Sequence, residues 1–428
     1  MIANTCINSW DTLSVNPADS LTNYINGTQV LPTIISTAYN MPQNLGANTK
    51  VGIVSLGGGW LGSDLQKSLA NLSLTLAQPI TSVIVDNAAN IFTANYPSPI
   101  TNNDVYSSEN TLDLYCVAGI VPSANIVIYT GQNSLTSFAN VLNRAVAEEC
   151  DVITISWATD ESSGYEDYLH APLANAASRG ITVLAASGDK GSTGNDADVS
   201  AISVCYPASS PNVVAVGGTQ LTYNTSTHAR ITESVSQYSG GGISTQFSVP
   251  SWQTGLKANL FFSSNGYSQV STITGRGVPD ISAPYSTYVL WSGNAIVGGS
   301  GTSASTPIMA GMFARYISAT GRRPISNAVH PILYANTSAY SDITSGNNLS
   351  YLTGGFAANV GWDPVVGLGA PKGNVVYQMV SSGGTTVKTA TNTWSYLANV
   401  RVKTDATTWS NVKSIWTKVD STTWKQTF

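Results

Sequence analysis

Apolar residues in this chain cluster in short β-branched runs that end at turn residues: VGIVSL (51–56), ITSVIVD (80–86), ANIVIYT (124–130), DVITISW (151–157), ITVLAAS (181–187) and NVVAVGG (212–218). Runs of this length and composition predict strands. Between them apolar positions recur at helical spacing over Glu109–Ala118, Phe138–Glu149 and Ala171–Arg179. Nearly continuous apolar strands alternating with amphipathic helices predict an α/β fold, a parallel sheet with helices on both faces. In such a sheet, functional residues gather beyond the carboxyl ends of the strands.

The pattern also divides the chain. Residues 1–29 are polar and poorly patterned and read as an arm or loose cap, and residues 30–380 hold the alternating pattern. SSGGTT (381–386) has the composition of a flexible linker. Residues 387–428 carry a short repeat, NTWSYLANVRVKTDA (392–406), TTWSNVKSIWTKVDS (407–421) and a truncated TTWKQTF (422–428). Trp394, Trp409 and Trp424 are fifteen apart, and Asp405 and Asp420 keep the same phase. So short a period predicts a small β module of hairpins or stacked strands.

Composition narrows the function classes. Lys and Arg number 18 against 23 Asp and Glu in 428 residues, a net charge of −5 with 10% charged residues, where ordinary domains carry roughly 25%. With 42% hydrophobic residues and 38 Gly, this is neither a charge-rich disordered chain nor one with a broad basic surface, so no nucleic-acid partner is expected. No run reaches the ~18 apolar residues of a membrane span, and MIANTCINSW lacks the basic and apolar regions of a signal peptide. Cys6, Cys116, Cys150 and Cys205 stand far apart with no histidine at zinc spacing.

Candidate chemistry centres on GGSGTSASTPIMAGMFARYI (298–317). A glycine-rich turn delivers Ser303 to the amino end of an apolar helix, where free N–H groups and the helix dipole favour a developing oxyanion. A plain N-cap reads the same way. The three histidines, His170, His228 and His330, sit in no evident active-site setting, so a catalytic Ser303 would need a carboxylate base. Glu109 and Asp113, four apart in SSENTLDLYCVAGI, share one helix face beside Leu112, Cys116 and Val117. Two carboxylates that close resist joint ionisation and can share a proton. Taken alone, E-x-x-x-D on a helix is usually a solvated face. Asp189 follows an apolar strand in ITVLAASGDKGS, as a turn former or as a protonated donor to an oxyanion.

GGSGTSAS, Glu109-x-x-x-Asp113 and the SGD of Ser187–Asp189 together resemble the sedolisins, the serine-carboxyl peptidases. VLPTIISTAYNMP (30–42), SLGGGW (55–60), ISW (155–157), YPASSPNVVAVGGT (206–219), GRGVPDISA (275–283) and GWDPVVGLGAP (361–371) look like family blocks in family order. The resemblance implies a subtilisin-like fold with Ser303 as nucleophile, Glu109 as general base and later acid, Asp113 as its orienting partner, and Asp189 as the oxyanion acid. It places Trp157 beside the catalytic carboxylates. Subtilisins proper are excluded: Gly57, Gly58 and Gly59 follow Leu56 where their Asp would stand, and no histidine lies in a glycine-flanked turn.

The resemblance also implies one structural calcium ion, held by Asp342 and Asp363 with carbonyls of Ile343, Asn359 and Gly361. An all-oxygen set suits calcium. The chain departs from the family at Ser55, where a Glu is common, and at Ala158, where Gly is usual; residues 1–29 are not expected to serve as the long amino-terminal prosegment that the resemblance implies. The expected activity is endopeptidase cleavage of polypeptides at about pH 3–5, from the protons that Asp189 and the Glu109–Asp113 pair must hold. The other reading is a structural, virion-like or assembly protein carrying the domain as scaffold or packaged protease, with self-assembly or surface attachment through 387–428. An extracellular or virion-associated location is expected over a cytoplasmic one.

Overall fold

The computed structural model describes residues 4–5, 9–14 and 18–373, apart from 95–100, 162–163, 165, 196–200, 263–266, 294, 322, 324–328, 336 and 350–353, and the strands between Thr385 and Gln426. Its strands begin with β1 (Asn4–Thr5), β2 (Ser9–Ser14), β3 (Lys50–Leu56), β4 (Thr81–Ile84), β5 (Asn125–Gly131) and β6 (Val152–Ile155). They continue with β7 (Trp157–Asp160), β8 (Thr182–Ala186), β9 (Cys205–Tyr206), β10 (Val214–Tyr223) and β11 (Arg230–Val235). The helices are α1 (Pro32–Ala38), α2 (Gly62–Asn71), α3 (Asn102–Ile120), α4 (Leu135–Ala147), α5 (Glu166–Ser178) and α6 (Thr302–Thr320).

The central sheet runs β11-β10-β8-β6-β3-β5-β4, with Ile281–Pro284 also paired to β10. All its pairings are parallel except β10 with β11. The expected α/β sheet is present. Side chains alternate between its faces: on β3, Val51 and Ile53 join the core under α3 and α6, while Val54 and Leu56 join the core under α4 and α5. The same division holds for Ile126 and Ile128 against Val127 and Tyr129 on β5. Period-two alternation in a strand buried on both faces yields the continuous apolar runs of the sequence. Strand order reverses at β3, between β5 and β6, so the crevice beyond its carboxyl end is where a site is expected.

Helix α3 begins at Asn102, well before the apolar spacing signals it. Thr101 caps it: the Thr101 N–H and hydroxyl donate to Asp104 Oδ2 at 2.7 and 2.6 Å, and Asp104 N–H returns a bond to Thr101 Oγ1 at 3.3 Å. From Ser107 to Ile120 every residue is buried, so this stretch of the helix has no solvated face and its polar side chains point into protein.

The arm at 1–29 is less loose than its composition implies. β2 forms an antiparallel third strand on the hairpin Tyr288–Ser292/Ala295–Ser300, and β1 pairs with β7 through Asn4 opposite Ala158 and Thr5 opposite Trp157. Leu21 is fully buried in the main core. Such edge pairing runs through main-chain groups and leaves little trace in side-chain pattern.

Of the expected linker 381–386, residues 381–384 lie outside the described residues, and Thr385 and Thr386 begin a strand. That strand, Thr385–Ala390, pairs with Thr393–Leu397, Arg401–Lys403 with Trp409–Asn411, and Trp416–Lys418 with Trp424–Gln426. Lys388, Lys403 and Lys418 stand opposite Trp394, Trp409 and Trp424. The last two pairs straddle the repeat boundaries read from sequence. Among the described residues, no helix is long and apolar enough to cross a membrane.

Candidate active site

Three elements converge at the carboxyl end of the sheet. The hairpin ending at Ser300 leads through Gly301 into α6, whose first turn carries Thr302 and Ser303. Gly301, the N-cap, supplies no side-chain cap, and the Ser303 N–H in the first turn has no intrahelical acceptor. α3 packs against α6 and presents Glu109 and Asp113. The turn after β8 presents Asp189. All four expected residues come together, and each is buried.

Ser303 Oγ donates to Glu109 Oε2 at 3.0 Å. Asp113 Oδ1 accepts from Ser156 Oγ at 2.7 Å. The remaining oxygens, Glu109 Oε1 and Asp113 Oδ2, are buried without a hydrogen-bond partner. Burial pushes both carboxyls well above the usual carboxylate range; Asp113 and Asp189 push Glu109 further, and the serine hydroxyls pull the other way. Among the described residues no ion pair includes Glu109, Asp113 or Asp189. With no cation to offset their charge, the pair retains a proton.

Asp189 is oriented by its surroundings. Its Oδ1 accepts from Thr302 N–H at 2.8 Å and Thr302 Oγ1 at 3.0 Å, and its own N–H donates to Asn195 Oδ1 at 2.9 Å. Gly188 before it has a φ of 112°, and a Cβ there would lie 2.7 Å from both Cys205 Sγ and the Gly194 carbonyl oxygen; only glycine makes this turn. Burial lifts the Asp189 pKa to about 8. Because Oδ1 is taken by two donors, the acid proton belongs on Oδ2; the Thr302 donors and the Tyr285 hydroxyl oppose the upward shift without cancelling it. A neutral carboxylic acid is thereby poised to donate to an oxyanion.

Trp157 opens β7, is buried, and tilts against Tyr106 at 5.2 Å between ring centroids. It adjoins Ser156, which bonds to Asp113. Ser55 Oγ instead contacts the Gly57 carbonyl at 3.2 Å, and Asn110 Nδ2 donates to the same oxygen at 2.9 Å. Sequence reasoning passed over Ser156 and Thr302, although both lie inside the quoted ISW and GTS segments.

The second expected site lies elsewhere on the chain. Asp342 Oδ2 accepts from Gly361 N–H at 2.9 Å, and Asp363 accepts from Asn359, Val365 and Val366 N–H at 2.9 to 3.0 Å. Both carboxylates thus converge on the 359–363 loop. Asp342 is near enough to add to the burial that raises Asp363. Among the described residues no cation pairs with either, and no hydrogen bond ends on the carbonyls of Ile343, Asn359 or Gly361. Two carboxylates and three free carbonyls fit a hard cation.

Comparison with known proteins bears on the family and the fold. The subtilase family matches residues 91–355. Kumamolisin of Bacillus sp. (strain MN-32) is 34% identical over 365 residues, covering 81% of this chain and 62% of that protein. Sedolisin of Pseudomonas sp. (strain 101) is 31% identical over 372 residues, covering 79% of this chain and 59% of that protein. Tripeptidyl-peptidase 1 of Homo sapiens is 36% identical over 238 residues, covering 51% and 41%. The chain spans less than two thirds of the length of each of these relatives. A solved Pseudomonas sedolisin, a serine-carboxyl proteinase complexed with two molecules of pseudo-iodotyrostatin, superposes with a TM-score of 0.68 at 26% identity, covering 84% of this chain and 99% of that one. The chain belongs to the subtilase family, in its sedolisin or serine-carboxyl group.

Proposed function

We propose that the chain is a serine-carboxyl endopeptidase active on the acid side of neutrality. One observation carries the reading: the Ser303 hydroxyl donates to a buried Glu109 carboxylate in a cluster without histidine or cation. Glu109 takes the Ser303 proton as Oγ attacks a peptide carbonyl. The oxyanion accepts hydrogen bonds from Asp189 and the Ser303 N–H, and protonated Glu109 passes its proton to the leaving amine. Water then repeats the cycle on the acyl-enzyme with Glu109 as base. Asp113 holds Glu109 in place and shares its proton.

Substrate enters as an extended strand. β7 leaves the cluster directly after Ser156, and its Trp157–Ala158 segment already carries the antiparallel strand β1; a polypeptide would add there through main-chain hydrogen bonds. Cleavage inside a peptide blocked at both ends, lost in Ser303→Ala, is the expected result. Cleavage only of peptides with a free amino terminus would instead indicate an exopeptidase of the tripeptidyl kind.

Asp342, Asp363 and the carbonyls of Ile343, Asn359 and Gly361 would hold one calcium ion. Bound there, it would neutralise two converging carboxylates and brace the 341–363 loops, with no part in bond cleavage. Chelation is expected to lower the unfolding midpoint and Asp363→Asn to abolish that response; an equal response in the variant would place the ion elsewhere.

A further inference from the structure

Ser156 ends the crossing from β6 to β7 and is completely buried. Its hydroxyl donates to Asp113 Oδ1 at 2.7 Å and lies 3.4 Å from the main-chain carbonyl of Ser303. A serine has one proton to give, and the short contact takes it. The side chain therefore ties the central sheet to α3 and stands against α6 at the nucleophile itself.

We propose that Ser156 is a positioning residue for the catalytic pair: by occupying Asp113 Oδ1, it confines the shared proton to Glu109 Oε1 and Asp113 Oδ2, and so leaves Glu109 Oε2 to take the Ser303 proton. The inference rests on the peptidase reading above. Its basis is a symmetry of contacts. Each carboxyl of the pair has one oxygen bonded to a serine hydroxyl, Ser303 for Glu109 and Ser156 for Asp113, and one oxygen without a partner. Were the Ser156 hydroxyl removed, Asp113 Oδ1 would become a third bare oxygen in a buried site, and the proton could settle there, away from Glu109.

The groups facing the pair are few. α3 supplies Glu109, Asp113 and the Cys116 thiol, which burial keeps neutral; the turn after β8 supplies Asp189; α6 supplies Ser303. Ser156 bonds the ionised form of Asp113 and pulls its pKa down, and it pulls the Glu109 pKa down as well. Without it the pair binds its protons more tightly, and Glu109 becomes a working base only at higher pH.

The test is kcat and KM against pH for cleavage of an internally quenched peptide by the parent chain, Ser156→Ala and Ser156→Thr, each checked for an unchanged thermal unfolding midpoint. Ser156→Ala is expected to lose roughly ten- to a hundredfold in kcat at acid pH with KM nearly unchanged, and its acid limb to move to higher pH. Ser156→Thr, which restores a hydroxyl, is expected to recover the parent limb. An acid limb in Ser156→Ala that coincides with the parent's, or a Thr variant that behaves as Ala does, would overturn the positioning role and leave Ser156 a packing residue. A parent chain without Ser303-dependent cleavage would overturn the peptidase reading itself, and this inference with it.

Discussion

Asp189 keeps its proton up to about pH 8 because burial disfavours its charged form. In the unfolded chain an aspartic acid releases its proton near pH 4. Between those values the folded chain binds more protons than the unfolded one, so this contribution to stability is full below about pH 4 and declines as pH rises towards 8. Asp189→Asn retains an acceptor for Thr302, places N–H groups where the acid proton stood, and removes the titration. The variant is expected to exceed the parent in stability by up to about 4 kcal/mol at pH 7, with the gap closing towards pH 4. Denaturant melts at the two pH values measure this, and a gap independent of pH would mean that Asp189 is ionised in the fold. The same variant should lose roughly 10²-fold in kcat, since an amide donates to an oxyanion less well than a neutral acid.

At this scale the sequence was legible through motifs and hardly at all through periodicity. Glu109 and Asp113 four apart read as a solvated face, and only the ordered blocks around them say otherwise; the fold buries the whole of α3 from Ser107 onward. Ser156 and Thr302 went unnoticed because serine and threonine are abundant here and follow no period. Their importance lies in which oxygen they touch, a three-dimensional fact.

At the level of secondary structure, the proposed catalysis depends on two helices held at one distance. Ser303 is on α6 and Glu109, its proposed base, is on α3, so the separation of the helices sets the 3.0 Å hydrogen bond. Gly311 permits their approach: a Cβ there would lie 2.7 Å from both Cβ and Cγ2 of Ile120 on α3. Neither is the end of a flexible chain, so the helices must part. Gly311→Ala is expected to cost about 1–3 kcal/mol in stability and to lower kcat more than KM, by lengthening the Ser303–Glu109 contact. Thermal melts and steady-state kinetics test both, and an equally stable, fully active variant would show that the helix pair can shift freely. The sheet strands were readable because apolar side chains on both faces leave continuous runs. The start of α3 was not, since its first turns are polar and held by the Thr101–Asp104 box rather than by apolar spacing.

For the molecule as one body, the arm lies on the proposed substrate edge. Asn4 and Thr5 lie on the edge of β7 where an extended substrate would pair, so the two compete. Removing residues 1–8 while keeping the β2 strand is expected to lower KM severalfold with little change in kcat; an unchanged KM would show that β1 does not cover the substrate edge. This contact was invisible in the sequence because main-chain pairing between segments some 150 residues apart imposes no pattern on either.

Three buried carboxyls and a serine, without histidine, are proposed to break peptide bonds. Cleavage of a denatured protein from about pH 3 to 9 by the parent chain, Ser303→Ala and Glu109→Gln tests this most directly. The expected result is acid-side cleavage that falls away by about pH 8, where Asp189 loses its proton, with losses on the order of 10⁴-fold in both variants. A parent rate that stays flat from neutral to alkaline pH, or a Glu109→Gln variant as active as the parent, would contradict the account.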